Sequence, residues 1–253
     1  MMPASACPII ARLVMAQPLG SVDGAPESAH AAPPADVLAP LDDPFRRALL
    51  SMYDNRPQLG EDGFEHPLDN VARISAAQGM WLYELCRQVA PSATLEIGLA
   101  YGFSTIFFLA ARQKNRRGTH TAIDPFQRQN WAGIGLQNGR RFDGEHFRFM
   151  EEPSATALAR LVHEGRQFEV IFIDGSHLFD AVLLDFTLSA SLCPLAGHII
   201  FDDLWMPATE RAVSFVRTNR RDFAEVLTPI SNIAAFWRVG QDTRDWMHFV
   251  DFP

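Results

Sequence analysis

Lysine is almost missing from this chain: of 253 residues, Lys114 alone is lysine. It falls in the polar stretch 113–118, which reads as a connection between a helix and a strand. A lysine general base anywhere else is therefore excluded. Cysteine is scarce too. Cys7, Cys86 and Cys193 lie far apart, with no C-x-x-C spacing and no disulfide framework, so a reducing, cytoplasmic compartment is the simplest fit. No apolar run reaches membrane-spanning length, and no membrane partner is expected. Residues 8–16 are mildly apolar, but a weak basic flank and Arg12 make them a poor secretory signal. Positive charge is in deficit, with 22 Lys and Arg against 30 Asp and Glu and a net charge of −8. That is the wrong sign for a phosphate backbone, so no nucleic-acid partner is expected. The arginines at 116–117, 140–141 and 217–221 read as solvated faces and loops. His30, His66, His120 and His163 form no ligand pattern.

What is present is a strand–helix rhythm. Residues 1–40, rich in Ala and Pro, read as a flexible leader. A short helix from Asp43 with Pro44 at its first position and a helix over 75–89 predict a helical cap at 41–90. The stretch 55–67 reads as a loop. Short apolar strands at 94–97, 120–123, 147–150, 170–173 and 198–201 alternate with helices at 103–112, 154–164, 178–189 and 208–220. Two more strands close the series at 223–227 and 233–239. This pattern predicts an α/β, Rossmann-like fold: a seven-stranded, mostly parallel sheet with helices on both faces. Its domain would span 91–240, followed by a tail at 241–253.

Such sheets bind ligands beyond the carboxyl ends of their strands, and here those ends are acidic. They carry Glu96, Asp124, Glu151 and Glu152, Asp174, and Asp202 with Asp203. The first end is the most informative. In Thr94-Leu-Glu-Ile-Gly-Leu-Ala-Tyr-Gly-Phe-Ser-Thr105 a strand runs into a glycine turn and a helix start, which together make a nucleotide-type pocket. The spacing E-x-G-x-x-x-G-x-S differs from the G-x-G-x-x-G of dinucleotide binders and points away from hydride transfer.

TLEIGLAYGFST resembles the first-strand motif of the class I S-adenosylmethionine-dependent methyltransferases. The segments IFIDGSHLFDAVLLDF and GHIIFDDLWMPATERAVSFV are similar to small-molecule O-methyltransferases of the macrocin and mycinamicin sugar type, and more distantly to catechol O-methyltransferase. The resemblance covers about residues 70–240. It implies that Gly98, Ala100 and Gly102 let the methionine part of S-adenosylmethionine lie against the turn. Ser104 and the helix-start amides would take its carboxylate, Glu96 its amino group, and Asp124 its ribose hydroxyls. Glu152 and Ser154 follow the third strand, where the family contacts adenine. MEEPSATAL departs from the usual Gly-Asp there, and Ser154 could equally cap a helix.

Asp174, Asp202 and Asp203 should converge on neighbouring strands, where three carboxylates repel unless a cation sits among them. An all-oxygen set suits Mg²⁺, and the metal-dependent relatives use acids or amides at these places. Asp174 would also touch the cofactor and take part in catalysis. The alternative is that Asp202 and Asp203 cap the following helix. His177, three residues after Asp174, matches the general base of the sugar-methylating relatives. Trp205 and Met206 could line an acceptor pocket or pack in the core. The implied activity is methyl transfer to a hydroxyl of a small molecule. A nicotinamide-dependent oxidoreductase and a non-catalytic binding module stand as alternatives. The helical cap could serve substrate closure or a homo-oligomer.

Overall fold

The computed structural model describes residues 36–69 and 71–253. The expected leader lies outside the described residues up to position 35. From Asp36 the chain forms hydrogen-bonded turns, with Leu38 and Leu41 buried. The chain forms two compact units, the first ending at Pro153 and the second taking in Ser154–Pro253.

The first unit opens with α1 (Asp43–Tyr53), whose cap is Asp42, one residue before the expected Asp43. The stretch expected as a loop holds a two-stranded hairpin, β1 (Gln58–Leu59) and β2 (Glu65–His66). Asp62 nucleates it: Oδ1 accepts from the Phe64 amide at 3.0 Å, and the carboxylate faces His66 Nε2. An Asx turn of this kind is a strong local signal that a count of glycines and prolines obscures. Helix α2 (Ala76–Val89) starts at a capping box in which Ser75 and Gln78 bond reciprocally. It packs closely on α3 (Phe103–Asn115), because a Cβ on Gly79 would stand 2.0 Å from the Phe107 ring.

Strands β3 (Ala93–Ile97), β4 (Thr119–Ile123) and β5 (Phe147–Met150) pair in parallel. Between β4 and β5 lie α4 (Gln127–Asn130) and α5 (Ile134–Asp143), which the helical pattern did not predict. Gly135 and Gly139 interrupt that pattern, yet both lie inside α5. A Cβ would meet the Ala100 carbonyl oxygen at 2.3 Å or the Phe147 ring at 2.3 Å. These glycines serve close packing rather than breaking the helix.

The second unit contains α6 (Ser154–His163), β6 (Val170–Ile173), α7 (Phe179–Leu192), β7 (His198–Phe201), α8 (Pro207–Asn219), β8 (Phe223–Val226) and β9 (Ala234–Arg238). β6 and β7 run parallel, whereas β9 pairs antiparallel with both β7 and β8. The large sheet has seven strands in the order β5-β4-β3-β6-β7-β9-β8, flanked by helices. β6 and β7 are apolar throughout apart from His198 and buried at every position, as strands covered on both sides must be. Burial of His198 holds its imidazole down at about 4, so it stays neutral at ordinary pH.

Candidate active site

The turn after β3 is shaped by three residues with positive φ: Gly98 (96°), Ala100 (44°) and Gly102 (82°). Glycine adopts this region freely, and the alanine does so at a cost of roughly 1 kcal/mol. Gly102 caps α3, and Ser104 and Thr105 lie within its first turn. Side chains from the segments after β4 hold the turn. Asp124 Oδ2 accepts from the amides of Leu99 at 3.2 Å and Ala100 at 2.9 Å, while Oδ1 accepts from Phe126 at 2.8 Å. Gln127, fully buried, donates from Nε2 to the Ala100 carbonyl at 2.7 Å and to Asp124 at 3.2 Å. Its Oε1 accepts from the Leu136 amide at 3.2 Å. Tyr101 is anchored through its hydroxyl to Asp69 Oδ2 at 3.1 Å and through its ring edge to Trp131.

Glu96 is fully buried beneath this turn. Its Oε1 accepts from the Thr105 hydroxyl and stands 3.2 Å from His120 Nε2. His120 is itself fixed by Thr94 Oγ1 at 2.8 Å and stacks on Phe108. The other carboxylate oxygen of Glu96, Oε2, is buried with no hydrogen-bond partner among the described residues. A carboxylate oxygen left unpaired in this way costs about 1–3 kcal/mol or more, which a cationic ligand group would offset. The turn and this unpaired oxygen fit an amino-acid-bearing cofactor.

Of the other expected cofactor residues, Ser104 is buried in the first turn of α3 and Glu152 is half-buried. Ser154 begins α6 and donates to Asp185 on α7. Burial raises the Asp185 carboxyl to about 6, and that hydrogen bond lowers it in part.

In the second unit, ligand atoms of Asp174, His177 and Asp203 all lie within 4.8 Å of one another, and all three side chains are half-buried. His177 Nε2 is 3.5 Å from Asp203 Oδ2. This trio differs from the Asp174, Asp202 and Asp203 set read from the sequence. Asp202 is buried at 4 % exposure, and its Oδ1 accepts from the Asp203 amide at 2.8 Å and from Asn232 Nδ2 at 3.1 Å. Asp203 itself sits at φ 58°, in the bend between β7 and α8. Trp205 is 58 % exposed, so it is not core, and its indole Nε1 donates to Asp203 Oδ1 at 2.9 Å.

Gln127 and Asn232 carry no signal in the sequence. Each bonds to a turn remote in sequence, Gln127 to Ala100 and Asn232 to Asp202 and Asp203, and neither falls in a recognisable spacing.

Two carboxylates with one imidazole nitrogen form a set that can accept a proton, hold a hydroxyl or bind a divalent cation. Residues 95–204 match the family model described as a methyltransferase domain. No curated protein matches the sequence significantly. Solved structures of similar fold include an O-methyltransferase from Bacillus cereus in complex with SAH, at 18% identity and TM-score 0.60, covering 81% of this chain and 94% of that one. Another is the O-methyltransferase TomG from Streptomyces achromogenes, involved in tomaymycin synthesis and solved in complex with SAM. It shows 16% identity and TM-score 0.55, covering 95% of this chain and 100% of that one. The SAH-bound methyltransferase PaMTH1 from Podospora anserina gives 15% identity and TM-score 0.57, over 67% of this chain and 81% of that one. At these identities the likeness is one of fold.

Proposed function

We propose that this chain, which carries a methyltransferase domain on a class I methyltransferase fold, transfers a methyl group from S-adenosylmethionine to a hydroxyl of a small molecule. Two features support the donor: the turn with three positive-φ residues and the buried, unpaired oxygen of Glu96. Glu96 would meet the ammonium group of the donor, and the amides opening α3, with Ser104, its carboxylate. Gly98, Ala100 and Gly102 leave the space beside the turn free of bulky side chains. Asp124 would turn to the ribose hydroxyls, exchanging its bonds to the Leu99 and Ala100 amides for them. Glu152 is the remaining candidate for the adenosine end. Ser154 is the weaker one, since it is already engaged by Asp185.

The observation that carries the hydroxyl assignment is the convergence of Asp174, His177 and Asp203. In the reaction the methyl carbon leaves sulfur and bonds to the acceptor oxygen. The sulfonium becomes a neutral thioether, and the hydroxyl proton passes to His177 Nε2. Asp203, beside that nitrogen, stabilises the imidazolium that forms. Alignment of sulfur, carbon and oxygen is what the protein must supply.

The same cluster supports a second, metal-assisted form. Asp174, Asp203 and His177 would hold the ion, with Asp202 behind them. Such an ion, Mg²⁺ or a similar divalent cation, supplies Lewis acidity that lowers the acceptor's pKa.

Among the described residues no helix is long and apolar enough to cross a membrane. Cys86 and Cys193 are free and buried. Together with the acidic net charge, these features support a cytoplasmic enzyme acting on a small molecule rather than on nucleic acid. Titration calorimetry with SAH and with NAD, followed by radiolabelled methyl transfer to a panel of catechols and methyl glycosides, tests this reading. Heat with SAH, none with NAD and a labelled ether product are expected. Heat with NAD alone would overturn it.

A further inference from the structure

The bend after β7 places two carboxylates side by side, and one residue far along the chain makes several of the hydrogen bonds to it. Asn232, in the β8–β9 connection, accepts the Leu204 amide on its main-chain oxygen at 3.1 Å. Its side-chain oxygen accepts the Trp205 amide at 3.3 Å. Its Nδ2 donates to Asp202 Oδ1 at 3.1 Å and to Asp203 Oδ1 at 3.3 Å. Asp203 Oδ1 thus receives two donors, Asn232 Nδ2 and Trp205 Nε1. The carboxylate is planar and rigid, so fixing one oxygen also fixes where the other points. That second oxygen, Oδ2, is the one facing His177.

We propose that Asn232 is a positioning residue for methyl transfer: its carboxamide, together with the Trp205 indole, sets Asp203 so that Oδ2 addresses His177. The inference rests on the reading of Asp174, His177 and Asp203 as the acceptor-activating cluster. The main-chain oxygen of residue 232 and the side-chain oxygen that takes the Trp205 amide hold the bend itself. The side-chain nitrogen adds the two contacts to carboxylates, and only these are lost in Asn232→Asp. A neutral donor between two adjacent anions also eases their repulsion without cancelling their charge, which a lysine or arginine would do.

The test uses the full-length protein labelled with ¹⁵N in its tryptophan indoles. Five indole signals are expected from the five tryptophans, and the one lost in Trp205→Phe identifies Trp205. In Asn232→Ala that signal should move upfield and exchange with solvent several-fold faster, because Asp203 no longer holds still as its acceptor. Affinity for SAH should stay within about twofold. With an acceptor found in the panel, kcat should fall about tenfold while KM for the methyl donor is unchanged. Asn232→Asp, equal in size but without the donor, should behave the same way and covers the case in which the alanine variant does not fold. A Trp205 signal unmoved in both variants, or kcat within twofold of the wild type, would overturn the proposal. Failure of the wild type to bind SAH would sink methyl transfer instead, and the indole spectra would still decide whether Asn232 holds Asp203.

Discussion

Replacing Asp185 by asparagine should stabilise the protein near neutral pH and not in acid. Asp185 sits on α7 at 1 % exposure, and its Oδ2 has no hydrogen-bond partner among the described residues. Burial holds its carboxyl at about 6 against an ordinary 3.8, with the Ser154 hydroxyl opposing in part. The sign follows from proton counting. Between these two values the unfolded chain has released the proton while the folded chain keeps it, so stability falls as pH rises. The contribution is complete below 3.8 and lost by the time pH passes 6. A gap of this size corresponds to about 3 kcal/mol. Asparagine keeps the shape and an oxygen for Ser154, but its amide N–H groups enter a place without an acceptor, at a cost of about 1 kcal/mol. The net gain near pH 8 should be about 2 kcal/mol, falling to zero or below at pH 4. Urea midpoints of the two proteins at pH 4, 6 and 8 measure it, as does a ¹³C titration of the Asp185 carboxyl. A difference between wild type and variant that does not change with pH, whatever its size, would show that the Asp185 carboxyl does not hold its proton in the folded protein.

Three further outcomes test separate links. Gly79→Ala improves helix propensity by under about 1 kcal/mol, yet it drives a methyl group into the Phe107 ring; the variant should lose about 1–3 kcal/mol in urea. Gly135→Ala sets its Cβ against the Ala100 carbonyl oxygen, a main-chain atom that cannot swing away. The turn must shift, and SAH should bind about tenfold more weakly by calorimetry, equivalent to about 1.4 kcal/mol. His177→Ala should reduce kcat by about 10²-fold or more with SAH affinity nearly intact; an equal loss of both would remove His177 from the proton-transfer role.

Most of the fold was legible because its strands are short and apolar and its helices obey ordinary periodicity. Residues 170–173 and 198–201 match their strands to the residue. Legibility failed where residues answer to partners distant in sequence. Helix α5 was hidden because Gly135 and Gly139 look like breakers until the Ala100 oxygen and the Phe147 ring are seen against them. The hairpin at 58–66 depends on an Asx turn at Asp62 that composition alone masks. At the candidate site, local spacing put Asp174 and His177 on one turn, and their meeting with Asp203 follows from parallel neighbours β6 and β7. The hydrogen bonds that occupy Asp202 were not legible, since one of them comes from Asn232, some thirty residues further on.

In the proposed enzyme the bend after β3 receives the adenosyl amino acid, with the Glu96 carboxylate meeting its ammonium group. Calorimetry with SAH on wild-type protein and on Glu96→Gln tests this. One site per chain is expected for the wild type, and at least about tenfold weaker binding for the variant. No heat with the wild type, or equal affinity in both proteins, would contradict it.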